Sequence, residues 1–253
     1  MRLFCIESGF QSGAYNMALD EALLEWVRLQ AECTLIVRTY QWECPTLSLG
    51  VNQPTRDVQA LLALYGKPAG QTACDIVRRP TGGRAILHGE DISFAFVTNA
   101  PNLLQCSLKA SYATFSGLVR QALQGLGVAA SPGVQAQSKD YLRSPACFET
   151  HTPSDLLSSE GKKLAGSAQL RRLGGILQHG AAFLKPYGTT YEGFSGQLFQ
   201  AAAGFVQAPP QPFPLALVQP LHQQLELTYL KASGEILASA STTSGSHLAP
   251  ASC

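Results

Sequence analysis

The chain is poor in charge. Only 14% of its 253 residues are Asp, Glu, Lys or Arg, and the formal net charge is +1. Nucleic-acid binders usually carry a basic excess, so this balance gives no reason to expect one; an acidic partner would have to meet a local basic patch. Long apolar runs are missing too. No stretch of about 18 apolar residues exists, so no membrane span is expected. The opening MRLFCIESGFQSG has neither the apolar core nor the small-residue cleavage site of a secretory signal. Paired cysteines are lacking: the seven, at 5, 33, 44, 74, 106, 147 and 253, are odd in number and form no CxxC. That argues against a metal site or a disulfide framework and for reduced thiols in a cytoplasmic protein. No internal repeat is found.

What is present is apolar residue, 45% of the chain, enough for a sizeable core in one large domain or one domain with an appendage. Residues 3–6 read as a short strand. Ser12-Gly13 opens a helical pattern in which Tyr15, Met17, Ala18, Ala22, Leu23, Trp26 and Val27 recur at three- and four-residue steps. The β-branched run 34–39 predicts a buried strand, 41–45 a loop, 46–50 a second strand and 57–64 a helix, with loop over 66–74. Residues 76–79, 85–88 and 92–97 predict strands, 101–104 a loop, and 108–126 a helix closed by Gly125 and Gly127. The polar stretch 129–145 predicts a loop. Beyond it, 154–157, 164–169 and 176–184 read as strands with turns at Ser159-Glu160-Gly161 and Leu173-Gly174-Gly175. Helices are expected over 197–205 and 215–229, and a disordered tail over 238–253, which is rich in Ser, Thr, Ala and Gly. Strands mixed with helices, without strict alternation, predict an α+β fold: a mixed, largely antiparallel sheet with packed helices. The expected division is a domain over 1–230 and a C-terminal extension over 231–253.

Two stretches carry chemistry. In Arg78-Arg79-Pro80-Thr81-Gly82-Gly83-Arg84 the glycine pair permits a backbone path closed to other residues. Exposed N–H groups beside guanidinium forks suit a phosphate, a carboxylate or a polarised carbonyl. A hairpin with solvated arginines is the plainer alternative, and the Lys-Ser/Thr ending of a P-loop is absent. The second stretch, from Cys147 to His179, holds a lone cysteine and the segment Gly161-Lys162-Lys163-Leu164-Ala165-Gly166-Ser167-Ala168-Gln169. Strand alternation puts Lys162 and Lys163 on opposite faces, with Lys162 exposed.

These residues resemble a known superfamily, that of lipoate–protein ligases, biotin–protein ligases and octanoyltransferases. The segment from Arg78 to His88 looks like its glycine loop, the segment from Gly161 to Gln169 like its lysine segment, and Asn16-Met17-Ala18-Leu19-Asp20-Glu21-Ala22-Leu23 like its first helix. The resemblance covers roughly residues 1–230. Within it, Pro145-Ala146-Cys147-Phe148 and Leu177-Gln178-His179-Gly180 look most like the cysteine-dependent octanoyltransferase of lipoate assembly. Arg84 stands where ATP-using ligases typically have a third glycine.

The resemblance implies Cys147 as nucleophile and Lys163 as the cation that holds an acyl carbonyl. It also implies a substrate-binding set of Arg78, Arg79, Thr81, Gly82, Gly83, Arg84, His88, Gly166, Ser167 and His179. A thioester is already activated, so no cofactor is expected. A thiolate attacks a thioester at near-zero driving force and leaves again from the new one; an ammonium stabilises the oxyanion between. The expected donor is octanoyl-acyl carrier protein, and the expected acceptor a lipoyl-acceptor domain such as the glycine-cleavage H protein. Nucleic acid and membrane are not expected partners. Three alternatives stay open: an ATP-dependent lipoate ligase, an amidotransferase between lipoyl domains, and a non-catalytic lipoate- or octanoate-binding protein. His88 and His179 either face substrate or are hydrogen-bonded histidines at strand ends. Asp20 is expected to cap or orient its helix, and the other six cysteines to be inert.

Overall fold

The computed structural model describes residues 1–65, 75–133 and 152–243. Its frame is a sheet with helices on both faces. In chain order the strands are β1 (Arg2–Gln11), β2 (Thr34–Trp42), β3 (Thr46–Leu49), β4 (Asp75–Arg78), β5 (Ile86–His88), β6 (Ile92–Thr98), β7 (Ser131–Pro132), β8 (Leu156–Leu157), β9 (Lys163–Arg172), β10 (Gly175–Ala182) and β11 (Gln211–Pro212). The helices are α1 (Gly13–Val27), α2 (Val58–Tyr65), α3 (Pro101–Gln105), α4 (Leu108–Gly125), α5 (Tyr191–Val206) and α6 (Gln219–Thr243). The larger sheet runs β11-β1-β2-β6-β10-β9-β8-β7, and β4-β3-β5 form a smaller one. In the larger sheet only β11-β1 and β1-β2 pair in parallel; the remaining neighbours are antiparallel. The mixed, largely antiparallel α+β fold is therefore the one expected.

Side-chain alternation explains the layers. Leu35 and Val37 of β2 and Phe94 and Phe96 of β6 face one core with Phe115 and Val119 of α4 and Phe194 of α5. Their neighbours Ile36, Ala95 and Val97 face the other core, with Leu19 and Leu23 of α1 and Val218 beside α6. Strands buried on both faces read as continuous apolar runs, which is why 34–39 was legible. Each large apolar side chain buried this way contributes about 1.5–3 kcal/mol. Ser12 caps α1, its Oγ accepting from Tyr15 N–H at 3.1 Å.

Several boundaries differ from expectation. β2 continues through Trp42, where a loop was expected, because Trp42 is buried, stacked on His88 and donating to Ser93 Oγ at 3.0 Å. Residues 101–105 are helical rather than loop: Pro101 occupies the first turn, where its missing N–H costs nothing. α5 starts earlier than expected, at a Thr190 cap that accepts from Gly193 N–H. The predicted loop 129–145 contains β7, and its remainder from 134 lies outside the described residues, as does 66–74. The largest correction is at the C-terminal end. Residues 231–243, assigned to an extension with a disordered tail, continue α6, and Ile236 packs into a third core with Leu47, Leu49 and Ile76 of the smaller sheet. Residues 244–253 are outside the described part. Among the described residues no helix is long and apolar enough to cross a membrane.

Candidate active site

Lys163 begins β9 just after a turn closed by Gly161, whose φ is +76°. Opposite it, β8 pairs Leu156 with Ala165 but Leu157 with Lys163, so Leu164 is an extra residue, a β-bulge. The bulge sends Leu164 and Ala165 both into the core and folds the Lys163 side chain over Gly166. A Cβ on Gly166 would sit 2.6 Å from Lys163 Cε and 2.9 Å from its Nζ. The ammonium lies 3.0 Å from Asp155 Oδ1, with the two side chains only 5% and 6% exposed. Lys162, as expected, is exposed and pairs with Glu160. Small residues beside the lysine thus make room for its own chain, and Asp155 supplies the counter-charge that burial demands.

The glycine loop faces this lysine. Gly83 adopts φ +90°, and its carbonyl lies against Gly50 so closely that no Cβ fits there. Arg79 is buried and holds the loop: Nε and Nη2 donate to Gly82 O, Nη2 to Arg84 O, and Nη1 to Ser48 O and Oγ, at 2.7–3.2 Å. It shapes the cavity wall with donors already engaged by backbone. Arg84 and both glycines line the cavity. Arg78 is not brought to it: Nη1 donates to Gly50 O at 2.8 Å and Gln53 O at 2.6 Å, pinning the turn after β3.

Both histidines belong to buried networks that also line the cavity. His179 Nδ1 is 2.9 Å from Asp20 Oδ2, and Nε2 is 2.6 Å from Thr81 Oγ1. Burial alone would raise the Asp20 pKa, but the Arg38 guanidinium at 2.6 Å and the His179 hydrogen bond bring it below the ordinary value. Burial pushes His179 down, against the pull of Asp20, so it stays neutral at pH 7. A neutral ring facing a carboxylate carries its proton on Nδ1; Nε2 then accepts from the Thr81 hydroxyl. Asp20 therefore neither caps its helix nor faces solvent: it orients His179, which holds Thr81. His88 stacks on Trp42, with Nδ1 2.9 Å from Asp91 Oδ2 and Nε2 2.8 Å from Ser48 Oγ. Both histidines are thus hydrogen-bonded, His88 at the end of β5 and His179 within β10, and both also line the cavity.

Together these elements form a cavity of about 310 Å³ lined by Lys163, Gly166, Ser167, Gly82, Gly83 and Arg84 and also by His88 and His179. Thr81 is buried beneath. Cys147 lies outside the described residues, as does His151. Sequence reading missed Asp155, Arg38 and Gln169. An arginine inside the apolar run of β2 was the available signal for Arg38, since a buried guanidinium demands a partner. Asp155 carried no such mark. Among the described residues no cluster of three or more His, Cys, Asp or Glu could hold a metal.

An α+β domain with a buried, paired lysine and a glycine loop around one cavity offers a held cation to whatever the cavity binds. The chain belongs to the lipoyl protein ligase A/B catalytic domain family, which it matches over residues 12–229. It is similar to octanoyltransferase LipM of Lysinibacillus sphaericus (strain C3-41), 38% identical over 188 residues, covering 72% of this chain and 65% of that one. Octanoyltransferase LipM of Bacillus subtilis (strain 168) is 34% identical over 185 residues, 71% of this chain and 64% of its own. The matches thus span slightly less than two thirds of these relatives. In fold, the chain is similar to lipoate-protein ligase A bound with ATP (TM-score 0.70, 18% identity, 89% and 93% coverage). It is similarly close to a bi-partite lipoate protein ligase from Thermoplasma acidophilum (TM-score 0.67, 16% identity, 89% and 92% coverage).

Proposed function

We propose that this chain is an octanoyltransferase of protein lipoylation, moving octanoyl from octanoyl-acyl carrier protein to the lysine of a lipoyl-acceptor domain such as the glycine-cleavage H protein. The observation that carries the reading is the Lys163 ammonium, buried in the cavity wall across Gly166. It is a fixed positive charge where a carbonyl oxygen would gain negative charge. The similarity to octanoyltransferases supports the choice of acyl group.

Cys147 is the nucleophile in this reading. It precedes the cavity-lining Thr152 by five residues, a length of chain that reaches at most about 18 Å. Its thiolate attacks the donor thioester, forming a new C–S bond. The tetrahedral oxyanion rests against Lys163, and the carrier thiolate leaves and takes a proton. The acceptor lysine, as free amine, then attacks the acyl-enzyme. A C–N bond forms, the C–S bond breaks, and the amine proton passes to the departing cysteine thiolate. The amide product lies lower in energy than the thioester, so no nucleotide is needed. The experiment is octanoyl transfer to purified H protein from octanoyl-carrier protein, with and without ATP. Equal transfer in both arms is expected; transfer only from free acid plus ATP would replace this reading with a ligase.

A further inference from the structure

We propose that Asp155 is a positioning residue that ties the two reacting parts of the site together: one carboxylate oxygen holds the Lys163 ammonium, and the rest of the residue holds both flanks of the stretch that carries Cys147. This rests on the acyl-transfer reading of the cavity and adds a residue to it.

The two oxygens of the carboxylate carry different loads. Oδ2 accepts from Thr152 N–H at 2.6 Å and from Thr152 Oγ1 at 3.1 Å. Each carboxylate oxygen has two lone pairs, so these two donors occupy Oδ2 and set the orientation of the group. Oδ1 is the oxygen left for Lys163 Nζ, 3.0 Å away. The main chain of Asp155 is engaged as well. Its N–H donates to Thr152 O at 3.0 Å, and its carbonyl accepts from Gly133 N–H at 2.8 Å. Gly133 and Thr152 are the residues on either side of 134–151, which includes Cys147. The two flanks meet closely: a Cβ on Gly133 would lie 2.3 Å from Thr152 O. A single residue is therefore bonded to both flanks of that stretch and to the ammonium of β9.

Placement makes this matter for the reaction. Lysine is a point charge on a flexible four-carbon stem, so its position is set by what holds its end. The ammonium and Asp155 Oδ1 lie side by side over Gly166, each 2.9 Å from where its Cβ would be. Thr152, Asp155, Lys163 and Gly166 all line the cavity. The nucleophile and the oxyanion-holding cation thus come from separate segments, and Asp155 fixes one against the other. It touches neither donor nor acceptor and acts through Lys163.

The test is steady-state transfer from octanoyl-carrier protein by wild type, D155N, K163M, D155N/K163M and D155E, with a thermal melt of each. In D155N the amide oxygen can keep the Thr152 bonds, which turns the NH2 group towards Lys163, donor against donor. Displacing the ammonium is expected to lower kcat about 100-fold while the donor KM stays within about 2-fold. D155N should also melt lower, because it leaves a buried charge unpaired, and D155N/K163M should recover that loss. The double variant should transfer as slowly as K163M and no slower, since Asp155 acts through the lysine. Should D155N or K163M fail to fold, D155E decides. It keeps the charge balance but moves the carboxylate by one methylene, and its kcat should fall as D155N is expected to. Wild-type kcat in D155N or D155E, a change confined to KM, or losses that multiply in the double variant would overturn the proposal. A wild type that transfers no octanoyl would instead overturn the functional reading beneath it.

Discussion

Adding one methyl group at Gly166 should disable the site while leaving the fold in place. In G166A the new Cβ would stand 2.6 Å from Lys163 Cε and 2.9 Å from both Lys163 Nζ and Asp155 Oδ1. Apolar contacts settle near 3.5–4.0 Å, so the lysine must retreat by about 1 Å. Overpacking of this kind costs about 1–3 kcal/mol. Alanine restricts the unfolded chain and returns about 0.4–1 kcal/mol. A net loss of about 1–2 kcal/mol leaves a domain with a stability of about 5–15 kcal/mol folded. Displacing a catalytic charge by about 1 Å lowers the rate by about 100-fold, or about 2.7 kcal/mol in the barrier. Urea unfolding and octanoyl transfer, measured on the same preparation, separate the two effects. A G166A enzyme with at least a third of wild-type kcat would refute the idea that Lys163 must lie across this glycine to work.

Three further predictions address the scaffold. Gly50→Ala drives a methyl group into the Gly83 carbonyl; backbone cannot yield as a side chain can, and urea melts should show a loss of about 3 kcal/mol, whereas near-native stability would mean that the two turns can part. Arg38→Met leaves the fully buried Asp20 carboxylate without its guanidinium and should cost about 3–5 kcal/mol, an unchanged urea midpoint being the contrary result. Stability should also fall on acidification below about pH 6.5, because the folded state holds His179 and His222 below their ordinary pKa, largely by burial, while the unfolded chain takes up protons first. Above that pH the contribution is complete, and Asp20 and Asp91, both lowered, extend the loss below about pH 4; a flat urea midpoint from pH 7.5 to 5.5 would contradict the histidine part.

What the residues revealed unaided follows from the range of the forces involved. Local signals placed α1, α4 and the central strands, because apolar periodicity and a capping serine act within a few residues. The α3 turn, the early start of α5 and the extension of α6 to Thr243 were missed. Those depend on caps and on contacts such as Ile236 against the smaller sheet, which a reading by local composition does not register. The lysine segment was legible as a motif, but its geometry was not. The bulge arises from pairing with β8, and Asp155 becomes a partner only once the two strands meet. Arg79 and Arg84 looked equivalent in sequence; folding gives Arg79 to backbone carbonyls of the loop. The Asp20–His179–Thr81 chain unites three distant segments; Thr81 and His179 had stood out as motif residues and Asp20 as a helix residue, but not their connection.

The most direct test of the acyl-enzyme is mass spectrometry of the protein after brief incubation with octanoyl-carrier protein and no acceptor. An octanoyl adduct should appear, map to Cys147, disappear with hydroxylamine and be absent from Cys147→Ala. An adduct on another residue, or full transfer activity in Cys147→Ala, would contradict the account.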